Sequence, residues 1–272
     1  MATSVLPSGF IFSQSSLQDY SDCPRRFQLR YLEQLHWPAV ESEPALYNER
    51  RQQEGQLFHR LVQQYILGLP PEKIRQQISS PDLQRWWDNF IQHPVDLPGY
   101  TLHTELSLSA PLGENFRLLA KYDLVAVLPK TEIMLFDWKT YTKRPRNEFM
   151  AGRWQTRIYR ALMIQAGKLL FSDSIKPESV TMVYWFAEYP TQPARFPYSN
   201  AQYERDTNAL DSLVDEIATS TDFPKTEEEK KCSYCIYRSY CDRKVTIGDN
   251  LFLEDDPAEL EINLEQIQEI AF

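Results

Sequence analysis

Asp123, Asp137 and Lys139 are charged residues set in sequence that otherwise suits the inside of a sheet. They fall within LLAKYDLVAVLPKTEIMLFDWKT, residues 118–140, where two runs rich in Val, Leu, Ile and Phe flank a turn containing Pro129. Burying an ion costs several kcal/mol unless it has a partner, so two carboxylates and an ammonium there call for a chemical reason. Side chains alternate along a strand, so Asp137 and Lys139 share a face and Trp138 points the other way. If the two runs pair as a hairpin, Asp123 reaches the same end. Paired carboxylates are hard oxygen donors suited to Mg2+ or Mn2+, and a nearby lysine can orient a water and offset charge building on a phosphate. That is the equipment for phosphodiester hydrolysis. Alone, however, a D-x-K pattern is more often an ordinary ion pair at a sheet end, and other residues must decide the matter.

The elements that would hold these groups are legible. FSQSSLQDYSDCPRRFQLRYLEQL reads as two short helices broken at Cys23-Pro24, with serines as caps. A helical pattern from about Pro44 to Leu67 carries Gly55 and His59, and a second helix is expected over 72–91. YTLHTELSLSA then alternates as a strand should, ahead of the strands around Asp123 and Asp137. RNEFMAGRWQTRIYRALMIQAG reads as one helix with Trp154, Ile158 and Leu162 in an apolar stripe. SVTMVYWFA is a strand, and a helix from about Asn200 to Thr219 leads to a cysteine-rich segment. Helices before and after a central group of strands indicate an α/β fold, a mixed sheet flanked by helices.

The 272 residues and 32.0 kDa suit one large domain or one domain with additions. No apolar run is long enough for a bilayer, and the first residues lack the pattern of a secretory signal, so a cytoplasmic protein without a membrane partner is expected. A net charge of -9 and pI near 5.1 argue, on average, against nucleic acid. The distribution is uneven. Lys139 to Arg160 holds seven basic residues and one acid, Glu148, whereas Glu254 to the end holds seven acids and no base. A strand of nucleic acid could follow the basic run, with Tyr141 or Trp154 stacking on bases, although a solvated helix face reads equally well. The tail, DDPAELEINLEQIQEIAF, reads as a helix capped by Asp256 with Leu260, Leu264 and Ile267 on one face, most simply packed on its own domain.

Asp123 followed by Asp137-Trp138-Lys139 resembles the signature of the PD-(D/E)XK nucleases, in their RecB-like branch. The likeness continues in order: Gly55-Gln56-Leu57-Phe58-His59 is similar to that branch's helical G-x-x-x-H, and Gln155-Thr156-Arg157-Ile158-Tyr159 to its helical Q-x-x-x-Y. Ala120 stands where relatives often have glycine, and Glu105 where they often carry an acid. The resemblance implies a restriction-endonuclease-like fold and a metal-dependent deoxyribonuclease. His59, Asp123, Asp137 and the Trp138 carbonyl would hold one or two Mg2+ or Mn2+ ions. Lys139 would position the attacking water, and Gln155 and Tyr159, four apart on one helix face, would hold the lysine and the DNA strand. It also implies 5′-phosphate products and a preference for single strands or free ends, in DNA repair, recombination or CRISPR spacer acquisition. The alternative is a non-catalytic DNA-binding or assembly subunit that keeps the fold. No P-loop is present, so any helicase would be a separate protein.

Four cysteines remain: Cys23, and Cys232, Cys235 and Cys241 in a C-x2-C-x5-C group. Two cysteines two residues apart make a poor disulfide but a good metal claw, for zinc or an iron–sulfur cluster alike. One cysteine before the core and three after it is similar to the [4Fe–4S] staple of AddB-type nuclease domains and CRISPR-associated RecB-like exonucleases, which implies the cluster. On this reading 1–248 form one nuclease domain, with 1–40 and 223–243 as the cluster-binding part, 44–220 as the core, and 249–272 as an acidic tail.

Overall fold

The computed structural model of the chain describes residues 6–35, 43–171, 175–232 and 235–243, with the side chains of 43–49 and of residue 169 outside that description. The expected helix of the acidic tail lies outside the described residues.

Among these residues six strands form one mixed sheet. The long hairpins come first. β2 (Thr101–Leu112) pairs antiparallel with β3 (Phe116–Leu128), and β3 pairs antiparallel with β4 (Glu132–Lys139) across the Pro129 turn. β4 runs parallel to β5 (Val180–Phe186), with helices in the crossover as parallel pairing requires. Two strands escape sequence patterning. β1 (Ile11–Phe12) lies parallel to the start of β3, and β6 (Ala194–Pro197) is an antiparallel edge beside β5. Each is too short to show a period of two, and Pro197 can sit in β6 only because it is an edge.

Helices cover both faces. α1 (Gln14–Asp22) and α2 (Pro24–Phe27) are separated at Cys23-Pro24 as expected, and a π-helical turn, Gln28–Leu32, follows. The Ser13 capping box that starts α1 satisfies backbone donors in both directions. α3 (Glu43–Ile66) matches the expected helix, as does α9 (Asn200–Thr219), capped by Ser199. The single helix expected over 72–91 is two, α4 (Pro71–Arg75) and α5 (Pro81–Gln92), because Pro81 cannot continue a helix but starts one well, with the Ser80 hydroxyl accepting from Leu83 N–H at 3.2 Å. The helix expected from 146 to 167 also divides, into α6 (Asn147–Gly152) and α7 (Trp154–Ala166), and a short α8 (Lys168–Phe171) follows. Arg153 between α6 and α7 is extended, at φ −67° and ψ 144°, and its turn delivers the Trp154 amide to Gln18 Oε1 at 3.1 Å.

Two hydrophobic cores result. On one face Ile158, Leu162 and Met163 of α7 and Leu210, Val214 and Ile217 of α9 meet Leu135, Met182 and Tyr184 of the sheet. On the other, Phe58, Leu61 and Val62 of α3 and Trp86, Trp87 and Phe90 of α5 meet Phe136, Trp138 and Trp185. α3 and α7 thus approach the same pair of strands, β3 and β4, from opposite sides.

Candidate active site

β3 and β4 stop pairing in register after Leu124 and Phe136. The next donor on β4, the Trp138 amide, goes instead to the Asp123 side chain, at 2.8 Å from Oδ2. A carboxylate thus replaces a strand just where the two diverge. The opposite edge of β3 is disturbed at the same level. Glu105 falls across from Asp123 in the β2–β3 register but leaves the ladder with φ at 55°, and its carboxylate pairs with Lys121.

Into this opening α3 brings His59, whose Nδ1 lies 3.1 Å from Asp123 Oδ1. Gly55 and Arg51 precede it at intervals of four and so lie on the same helix face. A Cβ on Gly55 would stand 3.1 Å from Thr140 Oγ1, and Arg51 donates to the Thr140 carbonyl at 2.9 Å. The glycine therefore lets α3 lie close against the end of β4, which explains its four-residue spacing from the histidine in physical terms. Phe58 fixes the helix from the far side, stacked on Trp185 at 6.0 Å and edge-on to Trp86 and Phe90.

The expected alternation on β4 is present. Trp138 packs against Phe90 and Trp185, while Asp137 and Lys139 turn toward α7. Lys139 Nζ sits 3.0 Å from Asp137 Oδ2, and both residues are buried. Gln155 closes the arrangement: it accepts from Lys139 Nζ at 2.9 Å and donates to Asp137 Oδ1 at 2.6 Å. Neither the ammonium nor the carboxylate leaves that amide a choice of orientation. Tyr159 lies one turn further along α7. Its ring is buried, its hydroxyl donates to the Lys121 carbonyl at 2.9 Å, and its own carbonyl accepts from Tyr122, so it ties α7 to β3 beside Asp123.

Two carboxylates, one ammonium and one imidazolium balance in charge. Burial works against the His59 imidazolium, but Asp123, with a smaller push from Asp137, holds its pKa up at about 9. Burial likewise opposes the Asp123 carboxylate, yet His59, the Trp138 amide and Lys139 hold it below its ordinary range. His59 therefore contributes stability that is complete below its ordinary value of 6.5 and is lost as pH rises through about 9. In metal-free protein, NMR titration should find His59 still protonated at pH 8, with unfolding free energy falling between about 6.5 and 9. An imidazole that titrates near 6.5 would break the pairing with Asp123.

The donor set suits a divalent cation, since carboxylates and an imidazole already gather around positive charge and a metal ion would replace a proton there. Among the described residues, however, no three His, Cys, Asp or Glu side chains already stand at metal-holding positions. Loading would require His59 to give up its proton and the Asp123 bond.

Cys23 lies where the helices α1 and α2 meet residues 216–224, and Cys232, Cys235 and Cys241 follow that segment. Cys23 is buried between α1 and α2. Burial pushes the Cys232 and Cys235 thiols up, and the neighbouring charges of Cys23 and Cys241 on Cys232, and of Cys23 and Cys232 on Cys235, add to it. The sulfurs are thus electrical neighbours without forming a ligand set. Other contacts hold the ends: Arg25 N–H to Pro224 O at 3.2 Å, Phe27 stacked on Phe223, and Tyr20 to Glu216 at 3.0 Å.

The C-terminal part of the basic run is paired within the protein, while Lys143 and Arg146 are exposed. Arg157 pairs with Asp206 of α9 at 2.7 Å and covers the Trp154 ring, while Arg160 is buried against Asp206 and the Thr156 and Pro197 carbonyls. Trp154 is itself buried, with its indole N–H on Ser21 and Arg157 over its ring, so the stacking on bases expected of Trp154 is not available to it. Tyr141 is half-buried, with Lys139 Nζ 5.6 Å from its ring.

A family model of the PD-(D/E)XK nuclease superfamily matches residues 11–242, and the chain belongs to that superfamily. Two solved structures are similar over most of their length. A candidate exonuclease from Eubacterium rectale is 10% identical, with 88% of this chain and 90% of that chain covered and a TM-score of 0.51, and it shares the fold. The protein SSO0001 is 16% identical, with 89% and 90% covered and a TM-score of 0.45. No curated protein matches in sequence. Among the described residues no helix is long and apolar enough to cross a membrane.

Proposed function

We propose that the chain is a divalent-metal-dependent deoxyribonuclease of the RecB-like branch, acting on single strands or free ends. The observation that carries this reading is the Lys139–Gln155–Asp137 bonding, set beside Asp123 and His59 at the point where β3 and β4 part. His59, Asp123, Asp137 and the Trp138 carbonyl would hold Mg2+ or Mn2+. The ion, once bound, supplies positive charge to the phosphate and lowers the pKa of a bound water. Lys139 orients the attacking water and offsets charge on the phosphate oxygens. Gln155 keeps the ammonium and Asp137 in register, and Tyr159 holds β3 so that Asp123 faces them.

A [4Fe–4S] cluster on Cys23, Cys232, Cys235 and Cys241 would close a loop of 209 residues, worth roughly 5 kcal/mol of unfolded-chain entropy. Protein purified without oxygen should be brown and contain iron, and Cys235→Ala should lose both and melt at lower temperature. A colourless, zinc-containing protein would replace the cluster with zinc.

The reading is tested by incubating the protein with end-labelled single- and double-stranded DNA, with Mg2+ or Mn2+ and then with chelator. Shortening that depends on the metal is expected, and the ladder of products gives its direction. DNA binding without cleavage would make the chain a non-catalytic subunit of a repair, recombination or CRISPR spacer-acquisition assembly.

A further inference from the structure

We infer that Tyr184 is a positioning residue for Gln155 and Lys139, an inference that rests on the nuclease reading of the site. Tyr184 is the register partner of Asp137 across the parallel β4–β5 ladder, so its side chain leaves the sheet beside Asp137 on the α7 side. It is 1% exposed, and Gln155 and Thr156 around it are equally enclosed. The ring lies 5.5 Å from Lys139 Nζ, and its π-face attracts the ammonium.

The hydroxyl lies 2.8 Å from Thr156 Oγ1 and 3.4 Å from Gln155 Oε1. Thr156 has one hydrogen, and the Met150 carbonyl 2.5 Å from its oxygen takes it. The Tyr184 hydrogen therefore goes outward, mainly to Thr156 and partly to Gln155 Oε1. Gln155 Oε1 is thus held from two sides, by the lysine and by the tyrosine. Without the hydroxyl the amide keeps its orientation but loses one of the contacts that hold Oε1 in place, and its bonds to Lys139 and Asp137 become less sharply aligned. Such a loss acts on the alignment of the reacting groups and leaves substrate binding alone, so it falls on kcat.

The test is Tyr184→Phe, which keeps the ring and removes only the oxygen. Two readouts are taken on it, on Thr156→Val and on wild type: steady-state cleavage of single-stranded DNA, and hydrogen exchange of the Gln155 carboxamide by NMR. Tyr184→Phe should lower kcat about threefold with KM unchanged and speed the Gln155 exchange, as expected for loss of a shared, long hydrogen bond. Thr156→Val removes the nearer acceptor at 2.8 Å, turns the Tyr184 hydrogen toward Gln155 Oε1 and should keep that exchange slow. Wild-type kcat and exchange in Tyr184→Phe would overturn the inference. Absence of cleavage by wild type would defeat the nuclease reading instead, and the Gln155 exchange would still decide whether Tyr184 holds the amide.

Discussion

Asp123→Asn is expected to fold and to lose about a thousandfold in metal-dependent cleavage. Asparagine keeps the shape of the side chain, and its carbonyl can still accept from the Trp138 amide that Asp123 Oδ2 now satisfies at 2.8 Å. The strand divergence after Leu124 and Phe136 therefore survives. What disappears is a negative charge from the proposed metal donors and the partner of His59 at 3.1 Å. Metal-ion stabilisation of a phosphoryl transition state is worth several kcal/mol, and each 1.36 kcal/mol is tenfold, which gives about a thousandfold. The same substitution should return His59 toward its ordinary titration, because the Asp123 charge is what holds its proton against burial. Cleavage within a factor of two of wild type would remove Asp123 from the chemistry.

Phe58→Ala is expected to destabilise the protein by about 3–5 kcal/mol, the range for deleting a fully buried aromatic side chain. Phe58 has no exposed surface and touches Trp86, Phe90 and Trp185, so its removal leaves a cavity among rigid rings that cannot collapse into it. Phe58→Leu fills much of that space and should recover more than half the loss. The position also bears on function: α3 presents His59 from the next residue, and its seating fixes the imidazole against Asp123. Denaturant unfolding measures the effect. A loss below about 1 kcal/mol would mean that α3 is held elsewhere and that this aromatic cluster does not position the site.

Much of this was legible because the informative patterns are local. The D-x-K face follows from strand alternation, and Gln155 four before Tyr159 follows from a helix; neither requires knowledge of the fold. Gly55 and His59 were similarly readable, and Arg51 was within reach, one more interval of four upstream on the same face. What escaped depends on register between distant segments. In SVTMVYWFA, Tyr184 looks like one more core aromatic, and only its pairing opposite Asp137 gives its hydroxyl work to do. The break at Arg153 has the same origin, because the Gln18 side chain from α1 claims the Trp154 amide. Arg157 and Arg160 read as a basic face for a polyanion, yet Asp206, nearly fifty residues on, takes both. The strand β6 was hidden by its length and by Pro197, which only an edge position permits.

The measurement that bears most directly on the central claim is cleavage of end-labelled DNA by wild type and Lys139→Ala, purified identically and supplied with Mn2+ or Mg2+. Lys139 is buried against Asp137 and Gln155, so a melting curve on each protein should accompany the assay to show that the variant is folded. Wild type should cleave only with metal, and a folded Lys139→Ala should be slower by at least a hundredfold, the usual cost of losing one group that stabilises transition-state charge. Equal cleavage by the two proteins, or none by either, would contradict the assignment of this site to phosphodiester hydrolysis.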